Sequence, residues 1–212
     1  MEGLKPAKLR RVAIELEKIV PRYPRPRREL EQYRTPADLA VRMALFLASR
    51  NECWVAVDLG TGTGMLAFAS SILGLYAVGL DIDAEGLNSA TASRAYSRLI
   101  VDFVQGDVRL LPLRAGSRFC VLMNPPFGGT RRSSSDAMFV EQAAGLSPKV
   151  IVSIHSLRPG VLEFVSAMLK RLGYGVAKVF REEFPLPAQF DTHRRRVYRI
   201  PVLVIVAEKA NS

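Results

Sequence analysis

Asp58-Leu59-Gly60-Thr61-Gly62-Thr63-Gly64 follows the short apolar run Val55-Ala56-Val57 and precedes Met65-Leu66-Ala67-Phe68-Ala69, which continues at helical composition. Glycines in a strand-to-helix turn let bare backbone approach a ligand, so this run commits the chain to an α/β unit with a binding edge. A dinucleotide fingerprint, G-x-G-x-x-G, seats pyrophosphate on the helix N-terminus and uses its third glycine for close helix–strand packing. Counted from Gly60, Gly62 fits but the third position is Met65, which disfavours NAD. Val78-Gly79-Leu80-Asp81 reads as the next strand. It ends in an acid about twenty residues beyond the first glycine, as a ribose-reading carboxylate should. Either Asp81 or Asp83 could instead cap the following helix. We read Asp81 as the ribose acid and Asp83 as the cap.

The D-x-G-x-G-x-G form resembles motif I of class I methyltransferases, whose cofactor, S-adenosylmethionine, carries no phosphate. Asp107, in Gly106-Asp107-Val108 after the strand Val101 to Gln105, is placed to accept from the cofactor adenine's amino group while Val108 donates its backbone N–H. An ordinary Asx turn is the alternative for Asp107. Phe119-Cys120-Val121-Leu122-Met123 is a further apolar run of strand length, so Asn124-Pro125-Pro126-Phe127 stands at a carboxyl edge, where open α/β sheets bind ligands. An amino nitrogen on a nucleobase is a poor nucleophile because its lone pair is delocalised into the ring. The Asn124 side-chain carbonyl and the Pro125 main-chain carbonyl can accept its two N–H bonds, favour a tetrahedral nitrogen and free the lone pair for attack on a methyl. Pro125 and Pro126 fix the backbone and remove competing donors, which preorganises the acceptors. Phe127 offers a face for an extruded base.

Leu9, Val12, Ala13, Leu16, Ile19 and Val20 follow helical spacing, and Pro21-Arg22-Tyr23-Pro24-Arg25-Pro26-Arg27-Arg28 then reads as a stiff basic linker of polyproline character. A helix is expected from about Ala37 to Ser49, with Pro36 at its first turn and Thr35 capping. Further helices are expected near 63–73, 84–98, 136–146 and 158–172, and strands near 54–58, 76–81, 101–105, 119–123, 149–154, 175–184 and 196–207. The first five strands alternate with helices, which implies a parallel sheet, and the last two form an antiparallel hairpin. The expected fold is therefore α/β and Rossmann-like, a seven-stranded, mostly parallel sheet with helices on both faces. Residues 1–29 form an N-terminal helix and basic Pro/Arg linker, and 30–212 one catalytic domain.

The chain has 212 residues, 49% of them hydrophobic, enough to bury one good core. No stretch reaches the length needed to cross a membrane. Cys53 and Cys120 are the only cysteines and read as buried small hydrophobes, which argues against a disulfide scaffold or a protein-held metal and for a reducing, cytoplasmic setting. A net charge of +10, mostly arginine, suits a polyanionic partner such as rRNA or tRNA. Arg131 and Arg132, in the loop after Phe127, read as RNA-facing, and so does the hairpin turn carrying Phe190, Arg194, Arg195 and Arg196. Solvated surface loops are the alternative for both. His155 ends the fifth strand and could reach the site rim or serve as a structural hydrogen-bonder.

Glu31-Gln32-Tyr33-x-Thr35-Pro36, the glycine run, Gly79-Leu80-Asp81-Ile82-Asp83, Gly106-Asp107-Val108, Asn124-Pro125-Pro126-Phe127-Gly128, Ser153-Ile154-His155-Ser156 and Phe184-Pro185-Leu186-Pro187-Ala188 occur in that order. From about Leu30 to Ala207 the chain resembles the methyltransferase-like five family of small-subunit rRNA adenine N6-methyltransferases, in an archaeal-type short form. The resemblance implies that Gln32 and Thr35 close over the methionine part of S-adenosylmethionine, that Gly60, Thr63 and Met65 line it beside Asp58, and that a small zinc-binding activator protein pairs along a sheet edge. Thr61 and Thr63 stand where cysteines are usual in the family's eukaryotic form. Two other enzyme readings share the chemistry: a protein glutamine N5-methyltransferase of release-factor type, against which the charge and Phe127 weigh, and an RNA guanine N2-methyltransferase. A non-catalytic RNA-binding module is the third class.

Overall fold

Each apolar run bounded by turn residues becomes a strand of one seven-stranded sheet. The computed structural model describes residues 6–50, 52–116, 118–127, 135–187 and 197–210. Helices α1 (Pro6–Ile19) and α2 (Ala37–Ala48) precede β1 (Val55–Leu59), α3 (Met65–Ile72), β2 (Tyr76–Asp81), α4 (Ala84–Thr91) and β3 (Val101–Gln105). There follow β4 (Phe119–Met123), α5 (Ser135–Gly145), β5 (Val150–Ser156), α6 (Val161–Arg171), β6 (Tyr174–Pro187) and β7 (Val197–Lys209). The order across the sheet is β3-β2-β1-β4-β5-β7-β6. The first five strands are parallel, and β7 runs antiparallel between β5 and β6, so the terminal hairpin closes the sheet as expected.

Buried parallel strands must present apolar side chains to both faces, which is why they read as continuous hydrophobic runs. Cys120 and Leu122 pack with α1, α2 and α3, while Val121 and Met123 pack with α5 and α6 on the other side. Ala13, Leu16 and Val20 of the N-terminal segment are buried in the first of these layers. Chain order reverses between β1 and β4, and the crevice that opens beyond their carboxyl ends is where such sheets bind ligands.

Several boundaries differ from expectation for local reasons. Helix α3 starts at Met65 because Gly60, Gly62 and Gly64 all hold positive φ and keep the turn out of the helix. Helix α4 stops at Thr91, where the Ser93 hydroxyl bonds back to Ala90 O, and a short 3-10 turn at Tyr96–Arg98 takes up the remainder. Helix α6 waits for Gly160, at φ 79°.

Cys53 and Cys120 are not two unpaired hydrophobes. Cys53 lies just before β1 and Cys120 near the start of β4, where Ala56 is its register partner. The parallel pairing of the two strands brings the cysteines within reach, with Cα atoms 5.6 Å apart, and they form a disulfide. The expectation failed because a 67-residue separation hides a contact set by strand register. Paired cysteines remove one premise of the reducing setting; disulfides also occur inside cells of hyperthermophiles. Among the described residues no helix is long and apolar enough to cross a membrane.

Closing a loop of 67 residues restricts the unfolded chain by about 4 kcal/mol on the chain-entropy account. Adding a reductant should lower the urea midpoint of unfolding by a corresponding amount, and Cys120→Ser should reproduce the loss. An unchanged midpoint would show that the crosslink contributes no stability.

Candidate active site

Strands β1 and β4 lie side by side with Leu59 opposite Met123, so the glycine turn and the Asn124–Phe127 turn leave the sheet as neighbours. Between them opens a cavity of about 480 Å³, walled by residues of both turns, by the loop after β2, by Asp107 and Val108, and by the segment Glu29–Thr35.

Asp58, the last acid of β1, is wholly buried. Its Oδ2 accepts from the Thr61 hydroxyl at 2.5 Å and from Ala67 N–H at 3.0 Å. Burial pushes its pKa up to about 7, against the pull of those two hydrogen bonds and with a further push from Asp81. Its Oδ1 has no partner, and neither has the buried Thr63 hydroxyl in the same wall. Asp81 accepts from Gly62 N–H at 2.7 Å and from Asp83 N–H at 2.8 Å, which ties the glycine turn to the loop after β2. Burial raises its pKa as well. Asp83 caps α4, as expected, by accepting from Glu85 N–H.

Gln32 reaches into the same wall. Its Nε2 donates to Asp83 at 2.6 Å and its Oε1 accepts from Arg27 N–H at 2.8 Å. Asp107 makes the Asx turn that the sequence left open, accepting from Arg109 N–H, and its carboxylate pairs with the Arg109 guanidinium, which lowers its pKa. Gly60, Met65, Asp107 and Val108 all border the cavity.

Asn124 is held by a segment ninety residues earlier in the chain. Its Nδ2 donates to Thr35 Oγ1 at 3.1 Å and to Tyr33 O at 3.4 Å. Thr35 therefore does not cap α2, whose N-terminal residue Pro36 has no side-chain cap; its buried hydroxyl is turned to Asn124 instead. With both amide hydrogens committed, Asn124 Oδ1 is buried and has no partner. Pro126 lines the cavity while Pro125 is buried beside it. Phe127 packs edge-on against Phe184 of β6, centroids 5.5 Å apart at 85°, and the Arg158 guanidinium donates to Phe127 O and to Ser156 Oγ.

Sequence reasoning assigned no site role to Tyr33 O or Phe184, although both stand in segments that carry the family resemblance, nor to Arg158 or to Tyr23, an aromatic between two prolines in a basic run. His155 does not reach the rim: it is fully buried, with Nε2 2.8 Å from Ser153 Oγ and Nδ1 3.4 Å from Asp136 Oδ2. That order of groups copies a hydrolase triad, but Ser153 is 1% exposed and no substrate can reach it. The cluster ties the start of α5 to β5. Arg131, Arg132, Phe190, Arg194, Arg195 and Arg196 lie outside the described residues. Strand β6 runs parallel to β5, so the ends of the terminal hairpin, Pro187 and Val197, point to the same carboxyl edge as Asn124. Among the described residues no group of His, Cys, Asp or Glu could hold a metal ion.

A methyltransferase domain family matches residues 56–149. The protein MJ0284 of Methanocaldococcus jannaschii is 31% identical, with 89% of each chain covered. The rRNA N(6)-adenosine-methyltransferase Mettl5 of Drosophila melanogaster is 30% identical over 85% of this chain and 87% of its own. The crystal structure of PH1948 from Pyrococcus horikoshii superposes with a TM-score of 0.85 at 28% identity, covering 99% of this chain and all of the other. With that identity sustained over most of both chains, this protein belongs to the Mettl5 family of rRNA N(6)-adenosine-methyltransferases.

Proposed function

We propose that this protein transfers the methyl group of S-adenosylmethionine to the exocyclic N6 amino group of an adenosine in ribosomal RNA. The Asn124 amide carries the proposal: its donors are spent on Thr35 and Tyr33, and its acceptor is buried and bare at the cavity. A buried acceptor without a donor costs about 1–3 kcal/mol, a cost that a substrate N–H removes. Asn124 Oδ1 accepts one N6–H and the Pro125 carbonyl the other, drawing the nitrogen toward tetrahedral geometry. When bound, S-adenosylmethionine supplies the methyl: the N6–C bond forms as the C–S bond breaks, and the electron pair stays on sulfur. N6 then sheds its extra proton to water, so no strong base is needed.

The cavity suits that cofactor because the partnerless Asp58 Oδ1 and Thr63 Oγ1 are acceptors for an ammonium group. In this reading Asp81 takes the ribose hydroxyls, Asp107 and Val108 the adenine, and Gln32, Gly60 and Met65 line the site. Phe127 supports the target base from the side not taken by Phe184. Arg131, Arg132, Phe190 and Arg194 to Arg196 hold the RNA, in keeping with the +10 charge. The small zinc-binding activator belongs to this reading through the family resemblance.

Nucleoside mass spectrometry of ribosomal RNA incubated with the protein and labelled cofactor should show N6-methyladenosine. Methylated cytidine or guanosine alone would overturn the base assignment, and methylglutamine in a protein substrate with nothing in RNA would overturn the whole reading. Asn124→Ala should lower turnover by about two to three orders of magnitude with cofactor affinity nearly unchanged. Thr35→Val frees the Asn124 amide to rotate, so it should cut turnover by about tenfold at constant affinity, with Thr35→Ser restoring it. If Thr35→Val instead weakens the cofactor, Thr35 is a ligand and not a support.

Asp58 gives the site a pH dependence. Its pKa near 7 leaves it mostly protonated below that pH, whereas an ammonium partner favours the carboxylate. Binding then requires proton release on the acid side. Affinity for S-adenosylhomocysteine should be flat above neutrality and fall as pH drops below 7, and Asp58→Asn should flatten the profile. A wild-type profile without a break near 7 would count against the Asp58 contact.

A further inference from the structure

Tyr23 enters the cavity from the segment that the sequence presents only as a basic, proline-rich connection. Its side chain rests on glycines of two different elements. A Cβ built on Gly62 would stand 1.8 Å from the Tyr23 hydroxyl oxygen, and one on Gly86 in α4 would stand 3.5 Å from its ring. The tyrosine thus occupies space that any side chain at position 62 would claim. Burial first, and the charges of Asp81, Asp58 and Asp83 with it, raise the phenol's pKa and keep it neutral. A neutral phenol hydroxyl in the cavity wall can donate a hydrogen bond.

The segment that delivers Tyr23 is fastened on both sides of it. Arg34 donates to Val20 O at 2.9 Å. Arg27 lies 3.4 Å from the Asp83 carboxylate, and its N–H bonds to Gln32, which bonds Asp83 in turn. Residues 20–34 therefore form a strap across the loop after β2, with Tyr23 pointing inward and Arg22, Arg25 and Arg28 exposed on the other side.

We infer that Tyr23 is a cofactor-contacting residue. Its ring forms the wall of the cavity above the glycine turn, beside Asp81, and its hydroxyl donates a hydrogen bond on the ribose side of the ligand. The cofactor site is then incomplete without the strap. This rests on the methyltransferase reading given above, and it adds a contact from outside the α/β core.

Calorimetry of S-adenosylhomocysteine binding to the full chain separates the two. If the wild type does not bind, the cofactor reading fails before Tyr23 is at issue. Where the wild type binds, Tyr23→Ala should weaken affinity by about tenfold or more, and Tyr23→Phe, which keeps the ring, by about threefold at an unchanged ligand-free melting temperature. Equal or tighter binding by Tyr23→Ala overturns the inference, tighter binding meaning that the ring blocks the site. Full affinity in Tyr23→Phe overturns the hydroxyl contact. Should Tyr23→Ala fail to fold, hydrogen exchange on the wild type decides: the amides of Arg22, Tyr23 and Arg25 should exchange more slowly with ligand, and unaltered exchange overturns the contact.

Discussion

Parallel pairing of β1 with β4 is the constraint on which the site depends. The two strands are far apart in sequence, yet in register they end together, and each ends in a turn with its own chemistry. The Gly60 and Thr61 N–H groups donate to Leu80 O and the Gly62 N–H to Asp81, and these bonds hold the glycine turn against the next strand. A slip of either strand would carry the acceptors at Asn124 away from the buried carboxylate at Asp58 and exchange the side chains facing the two helical layers. The cavity is therefore a product of sheet register before it is a product of any single residue.

A second layer of support comes from the N-terminal segment, which meets the sheet twice. Helix α1 buries Ala13 and Leu16 against α2 and α3, and the stretch that follows returns to touch Asp83 through Arg27 and Gln32 and Asn124 through Tyr33 and Thr35. Hydrogen-bond partners set which way an asparagine amide faces, since its two ends differ only in donor and acceptor. Here the Tyr33 main-chain carbonyl, which can only accept, asks for the nitrogen, and the Thr35 hydroxyl accepts from the same nitrogen.

What could be read in the sequence follows from range. The strands are legible because a buried parallel strand must be apolar on both faces, as in Phe119–Met123 and Val150–Ile154. The two turns are legible because glycine and proline impose their conformations locally. The capping role of Thr35 was the misreading: a threonine before a proline and a helix has every local feature of a cap, and only the folded chain puts Asn124 within reach of its hydroxyl. Tyr23 and the cysteine pair were hidden for the same reason, since each finds its partner through tertiary placement. Asp107 had two local readings; it makes the Asx turn, accepting from Arg109 N–H in the 3-10 turn, and it also borders the cavity.

The disulfide closes the opposite end of the same two strands from the chemistry. Asn124, just beyond β4, is four positions after Cys120, about 13 Å of extended chain. A change of oxidation state at Cys53 and Cys120 thus acts on the root of the strand pair, leaving the ladder between them to hold the acceptors in place. Redox conditions would register in how long each molecule survives, and so in cellular abundance, while the rate constant of a surviving molecule stays the same. A chain built this way can be adapted to a hotter or more oxidising habitat without re-evolving its catalytic edge.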